Sequence, residues 1–302
     1  MRFVLAAYFA LFLTGTLPAD ETLEARLRPL IDAHKGEVAI AVKHLKTGET
    51  FRHRADEPMP TASLIKLPVM VEVYQQAHDG KLKLTDPITL RKEDKVPGSG
   101  VLTAHFSEGA SFPLADAVRL MIAFSDNTAT NLVVDKIGLP ATAARMEALG
   151  FPNTKLHSKV YKRETSVFPE RSEKFGLGST TAGEMIGLLE QLHAEKLVSP
   201  EASKAMLEHL KKCDDQDKFP RFLPAGTVIA HKTGSVNESR TDAGIIYSVS
   251  GPIALCVLTS KNEDKSWTPD NAGNRLCATV AREVFAHFQP VKTTTPRPLR
   301  VK

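Results

Sequence analysis

The sequence lacks most of the signals that would place a protein in a special class. Beyond the N-terminal segment no run is long and apolar enough to cross a bilayer. Net charge is only +4, from 39 Lys and Arg against 35 Asp and Glu. That argues against a dedicated nucleic-acid binder, which concentrates basic side chains. No Cys and His fall at metal-ligand spacing, and the ten His are scattered. The three cysteines, Cys213, Cys256 and Cys277, are odd in number, so at least one is unpaired or bonds outside the chain. There is no internal repeat and no low-complexity linker. What is present is an ordinary globular composition, 42% hydrophobic and 25% charged over 302 residues. This suits one large domain or two closely packed ones.

The N-terminus reads as a secretory leader. Arg2 supplies the positive charge, Phe3 to about Leu17 is apolar, and Leu17-Pro18-Ala19 ends in a small residue, which places cleavage after Ala19. The alternative is an uncleaved anchor. The apolar run is short for a membrane span, and no Cys follows it to carry a lipid. The expected location is secreted or periplasmic, with no stable membrane anchor. Export permits disulfides. Cys256 in a predicted strand and Cys277 in a predicted helix could pair, or remain as buried thiols.

Strand patterns sit at both ends of the chain and helical patterns lie between them. Leu23, Leu27, Leu30 and Ile31 recur at helical spacing within 20–33. Val38, Ile40 and Val42 alternate as a strand, and Lys46-Thr47-Gly48-Glu49 turns the chain into a second strand at 50–54. Helices are predicted over 63–78, around Leu114–Ile122, over 128–137 stopped by Gly138, after Pro140 to Gly150, after the capping box at Thr181–Glu184, and from Ser199-Pro200 to Leu210. Strands return at 227–231, 244–249 and 253–259, and a helix closes over 271–288. The fold class predicted is α+β. Both chain ends build one antiparallel sheet with covering helices (about 20–60 and 221–290), and the middle forms an all-helical lobe (about 61–220). The leader spans 1–19. The tail at 291–302, polar and basic from Thr293, is expected to be disordered.

Three short motifs occur in order: Ser63-Leu64-Ile65-Lys66, Ser125-Asp126-Asn127 and Lys232-Thr233-Gly234, their first residues 62 and then 107 positions apart. Each alone has an ordinary structural explanation. Ser63 could cap a helix with Lys66 in solvent, the second motif could be a helix cap, and the third a cationic strand end. Together they point to one chemistry. A serine hydroxyl is too weakly acidic to attack without a base beside it, and Lys66 lies on the same helical face as Ser63. Asp126 can hold its turn through backbone bonds. Gly234 leaves room at a strand edge, and Lys232 adds positive charge for a carboxylate.

These motifs resemble those of the serine penicillin-recognising enzymes, and the chain from about Leu23 to about Phe288 resembles the class A β-lactamases within that superfamily. The resemblance implies a three-layer β-lactamase/transpeptidase-like fold with its site in the groove between lobes. It implies Ser63 as nucleophile, Lys66 as its base, Ser125 and Lys232 in proton transfer, Asn127 and Thr233 on substrate, and the N–H groups of Ser63 and Ser235 as an oxyanion hole. Either Arg240 or Arg275 would contact a second carboxylate. The family's deacylating Glu normally stands in an E-x-x-L-N motif. Here Glu164 is best placed for it, but Phe168 replaces the Asn, and Lys and Arg crowd the loop. No metal or organic cofactor is required. The expected partner is a small β-lactam or a cell-wall peptide, with no nucleic acid, and the expected state is a monomer. A D,D-peptidase or esterase that acylates but deacylates β-lactams poorly shares all three motifs. A non-catalytic binding module is disfavoured by the intact Ser63, Lys66, Ser125 and Lys232.

Overall fold

A computed structural model describes residues 22–289. The leader read at 1–19 and the tail read at 291–302 lie outside the described residues.

Thr22 caps α1 (Leu23–Ala33), its hydroxyl accepting the Ala25 N–H at 3.2 Å. β1 (Glu37–His44) and β2 (Thr50–His53) form the predicted hairpin. β3 (Met59–Pro60) then leads into a 3-10 turn, Ala62–Ile65, and α2 (Lys66–His78). Ser63 therefore lies on the 3-10 turn, and the α-helix begins only at Lys66. Pro68 falls in the first turn of α2, where its missing N–H leaves no helical bond unmade. β4 (Pro87–Thr89), α3 (Leu102–His105) and β5 (Ser111–Pro113) come next, with β4 and β5 paired. These short pieces escape periodicity because they span a few residues each.

α4 (Leu114–Ala123) and α5 (Asn127–Ile137) flank the Ser125 turn, and Gly138 ends α5 at φ +84°. α6 (Ala141–Ala148) follows Pro140. β6 (Lys155–Leu156), α7 (Pro169–Phe175) and β7 (Gly178–Thr180) follow, and β3, β7 and β6 make a small second sheet. α8 (Ala182–His193) starts at Thr181, whose hydroxyl accepts the Glu184 N–H. Only half of the predicted capping box forms. The Glu184 carboxylate instead accepts from the Asn153 N–H and the Thr154 hydroxyl, tying α8 to the loop before β6. α9 (Pro200–Leu210) starts at the Ser199 cap. β8 (Ile229–Val236), β9 (Ser239–Ser248), β10 (Gly251–Ser260) and α10 (Ala272–His287) complete the chain.

The main sheet runs β2-β1-β10-β9-β8, antiparallel throughout, with β8 at an edge. Its two ends of sequence meet where Glu37 pairs with Ser260. Strand alternation sends Val38, Ile40, Val42, Ile253, Leu255 and Val257 to one face, against Leu27 of α1 and Val280 and Val284 of α10. Ala39, Ala41, Ala230, Ala243 and Ala254 face the other way, toward α2 and α8. Those small side chains let Leu64, Leu67, Met185 and Leu189 pack against the sheet. Each such buried Leu stabilises the fold by about 2 kcal/mol. All three cysteines are buried free thiols, so Cys256 and Cys277 do not pair. Among the described residues no helix is long and apolar enough to cross a membrane.

Candidate active site

The three motifs meet in one cleft of about 670 Å³, where Ser63, Ser125, Asn127, Lys232, Thr233, Gly234 and Ser235 form part of the wall. Ser63 is presented by a strained backbone, since Ala62 before it holds φ +45°. Ser125 (φ +52°) and Tyr161 (φ +57°) line the same cleft in the same region of backbone space. Such residues cost on the order of 1–3 kcal/mol each and persist where the surroundings hold them. Here the Thr241 hydroxyl donates to the Thr61 carbonyl at 2.9 Å and locks the approach to Ser63 onto β9. Gly234 abuts that segment. A Cβ on it would overlap the Thr61 carbonyl oxygen and stand 2.9 Å from the Ser63 nitrogen. β8 can lie this close only because position 234 is glycine.

Lys66 is fully buried. Its Nζ donates to the Ser125 carbonyl at 2.6 Å and to Asn127 Oδ1 at 2.9 Å, and stands 3.2 Å from Ser125 Oγ. Burial, reinforced by the neighbouring Lys232, holds its pKa well below the ordinary lysine value. Lys232 is also fully buried, donates to the Thr233 carbonyl at 2.9 Å, and has its pKa lowered mainly by burial. Two amines without full solvation, one held toward neutrality, are suited to moving protons.

Asp126 fastens the turn between α4 and α5. Its Oδ1 accepts the Ala129 N–H at 2.8 Å as the cap of α5. Its Oδ2 accepts the N–H groups of Val101 and Leu102 at 2.7 and 2.8 Å. Gly100 has no room for a Cβ beside this carboxyl. Asn127 Nδ2 donates to the Pro97 carbonyl at 3.0 Å, and Ser99 Oγ donates to the Ser125 carbonyl at 2.7 Å. The segment 97–102 thus fixes both Ser125 and Asn127 from the outside.

Three predicted residues lie elsewhere. Glu164 is exposed on a one-turn 3-10 segment, Arg163–Thr165, and lines a separate depression with Glu170 and Glu173. The same loop turns Val160 into the cleft instead. Asn131 of α5 clamps that residue, accepting its N–H at 2.8 Å and donating to its carbonyl at 3.0 Å. Arg240 is 1% exposed and donates to the carbonyls of Val236, Ser239 and Ser266, its guanidinium 4.8 Å from the Trp267 ring centroid. These bonds take up its guanidinium, and Arg240 itself does not line the cleft. Arg275 on α10 pairs with Asp270 at 3.5 Å, again outside the cleft. Arg163 and Lys159 line the cleft, and Lys159 is ion-paired with Asp135. Periodicity offered no signal for Val160 or for Trp267, whose contributions depend on loop paths.

A sheet assembled from both chain ends, a helical layer and a cleft joining S-x-x-K, S-D-N and K-T-G define a penicillin-recognising serine hydrolase. The family described as "Beta-lactamase enzyme family" is matched over residues 22–288, and the chain belongs to it. A β-lactamase of Streptomyces cellulosae is 27% identical over 284 residues, covering 90% of this chain and 88% of that one. The crystal structure of a β-lactamase from Sphaerobacter thermophilus is 31% identical, with a TM-score of 0.77, over 88% of this chain and 96% of that one. An ancestral class A β-lactamase is 25% identical, with a TM-score of 0.76, over 87% and 98% of the two chains.

Proposed function

We propose that the protein hydrolyses the β-lactam amide through an acyl-enzyme on Ser63. The observation that carries this is the buried Lys66 amine, bonded to Ser125 and Asn127, two residues of the cleft wall that also carries Ser63. A neutral amine has two N–H bonds and one lone pair. The Ser125 carbonyl and Asn127 Oδ1 can only accept, so they use both N–H bonds and leave the lone pair for a hydroxyl proton. Lys66 accepts the Ser63 proton as Oγ attacks the lactam carbonyl. The oxyanion forms between the N–H groups of Ser63 and Ser235, each donor worth about 3 kcal/mol in the transition state. Ser125 hands a proton to the departing nitrogen, and Lys232 and Thr233 hold the substrate carboxylate. Asn127 bonds the side-chain amide of the substrate.

The catalytic unit is read as residues 20–290, monomeric and exported to the periplasm or medium after cleavage at Ala19. Purified protein from residue 20 onward, mixed with a chromogenic cephalosporin, tests the reading by colour and intact mass together. Turnover with little adduct is expected. Ser63→Ala must abolish covalent labelling by penicillin, and labelling that persists removes Ser63 as nucleophile.

A second reading has its own support. No carboxylate of the 157–168 loop lines the cleft, and Val160 occupies the clamped position. A hydrolase without a positioned general base releases its acyl group slowly. A stable adduct after a single turnover identifies this case and points to a cell-wall peptide or ester as the substrate.

A further inference from the structure

The leaving-group end of the cleft carries a carboxylate that the catalytic scheme does not use. The two ends are set apart by the segments that build them. A Cβ on Gly98 would stand 2.6 Å from Asn127 Nδ2 and 3.0 Å from the Tyr161 hydroxyl, so the Val160 loop lies beside Asn127. At Ser125 the chain has a different neighbour, for the Asp214 N–H donates to the Ala123 carbonyl at 3.1 Å. That bond holds the segment after α9 against the end of α4, two positions before Ser125. Asn127 bonds the side-chain amide of the substrate, and Ser125 serves the departing nitrogen. Asp214 therefore stands at the end where the leaving group lies.

Asp214 is exposed and lines the cleft. Among the described residues its carboxylate has no ion-pair partner and accepts no hydrogen bond from another residue. The charges around it are engaged elsewhere. Asp215 pairs with Lys218 at 2.6 Å, Lys211 pairs with Glu208 at 2.6 Å, and Lys232 Nζ is bonded to the Thr233 carbonyl. Lys212 does not line the cleft. Phe124 follows the carbonyl that Asp214 bonds, is 41% exposed and lines the same wall. A free carboxylate and an open aromatic ring in one wall are complementary to an organic cation. The carboxylate supplies opposite charge, and the ring supplies its negative face. Lys232 and Thr233 in that wall take a carboxylate, so the whole wall suits a leaving group that carries both charges.

We infer that Asp214 and Phe124 form a subsite for an organic cation on the leaving-group half of the substrate, such as the pyridinium of a zwitterionic cephalosporin. This names a substrate class within the reading of Ser63 as nucleophile and rests on it. No bond is made or broken at the subsite. The cation is still attached when Ser63 attacks, so its contact with Asp214 acts on acylation.

The test compares two cephalosporins with the same thienylacetamido side chain, one bearing pyridiniummethyl at C3′ and the other acetoxymethyl. Stopped-flow mixing gives the rate of acylation by each. Asp214→Asn should slow the pyridinium compound about fivefold, the scale of one exposed ion pair, and the acetoxy compound by less than about twofold. Phe124→Leu should slow the pyridinium compound about threefold, the scale of an exposed cation–π contact. Asp214→Glu should keep the preference, and added salt should shrink it in the wild type alone. If neither compound forms an adduct on Ser63, the nucleophile reading fails and the subsite is measured separately. Benzyltrimethylammonium, followed by saturation-transfer NMR, should then bind the wild type and lose its signal with Asp214→Asn. Equal slowing of both cephalosporins in Asp214→Asn, slowing of neither, or an unchanged benzyltrimethylammonium signal overturns the inference.

Discussion

Asp126→Asn is expected to destabilise the fold by about 3 kcal/mol, although it changes one atom. The Asp126 carboxylate accepts three backbone N–H bonds while 1% exposed, one at Oδ1 and two at Oδ2. An amide has one acceptor oxygen. Placing it at Oδ2 turns its NH2 toward the Ala129 N–H, so the cap of α5 is lost at about 1 kcal/mol. The two bonds that remain lose their charge assistance, at about 1 kcal/mol each. Asp126→Ala strips all three donors of their acceptor, and its cost should be about 5 kcal/mol, a large part of the stability of an ordinary domain. Urea unfolding followed by circular dichroism measures both. For a chain of this size the Asn variant should also melt about 6–12 °C lower. A loss below about 1 kcal/mol for Asp126→Asn would refute the assignment of this carboxylate as the fastener of segment 97–102. Because Ser99 and Pro97 in that segment hold Ser125 and Asn127, acylation in the Asn variant should slow as well.

Glu164→Gln should leave the lifetime of the penicillin adduct unchanged, measured by intact mass against time, because Glu164 lies outside the cleft. If the adduct is long-lived, as on the second reading, Val160→Glu should shorten its lifetime by placing a carboxylate in the cleft wall; an unchanged lifetime would show that the clamped position does not govern deacylation. Acylation should weaken as pH falls through the depressed pKa of Lys66, since protonation removes the lone pair, and should weaken again on the alkaline side, below 10.5, as Lys232 loses the charge that holds the carboxylate. Stopped-flow acylation across pH measures this, and an acid-side fall placed near 10.5 would place the proton acceptor elsewhere. Gly234→Ala should slow acylation and cost about 1–3 kcal/mol of stability, since the new methyl overlaps the Thr61 carbonyl.

Much of the fold was legible because its signals are local. The hairpin at 37–53, the caps at Thr181 and Ser199 and the stop at Gly138 depend on neighbours a few residues away. β9 begins at Ser239, earlier than the predicted 244, because Ser239 to Asp242 are polar or charged yet paired to β8, and hydropathy does not register a ladder. Ser63, Ser125, Asn127 and Lys232, which share one cleft, were legible as candidates because they stand in short motifs. Arg240 is held outside the cleft because its guanidinium is taken up by the carbonyls of Val236, Ser239 and Ser266, contacts that residue type alone does not announce. Glu164 falls outside the cleft lining because a loop path decides which side chain faces inward.

The pairing of β1 with β10 has a consequence for the order of synthesis. Glu37 and the strand it meets are separated by 223 residues, as the bond from Ser260 to Glu37 shows. Until the ribosome has released β10, the inner strand β1 has only β2 beside it, and α1 has no α10 to pack against. The middle helices can consolidate while the sheet waits. Closing so long a loop late makes slow folding the expectation. A chain cut short before Gly251 would carry Ser63, Ser125 and Lys232 with no central strand to bring β8 alongside the first.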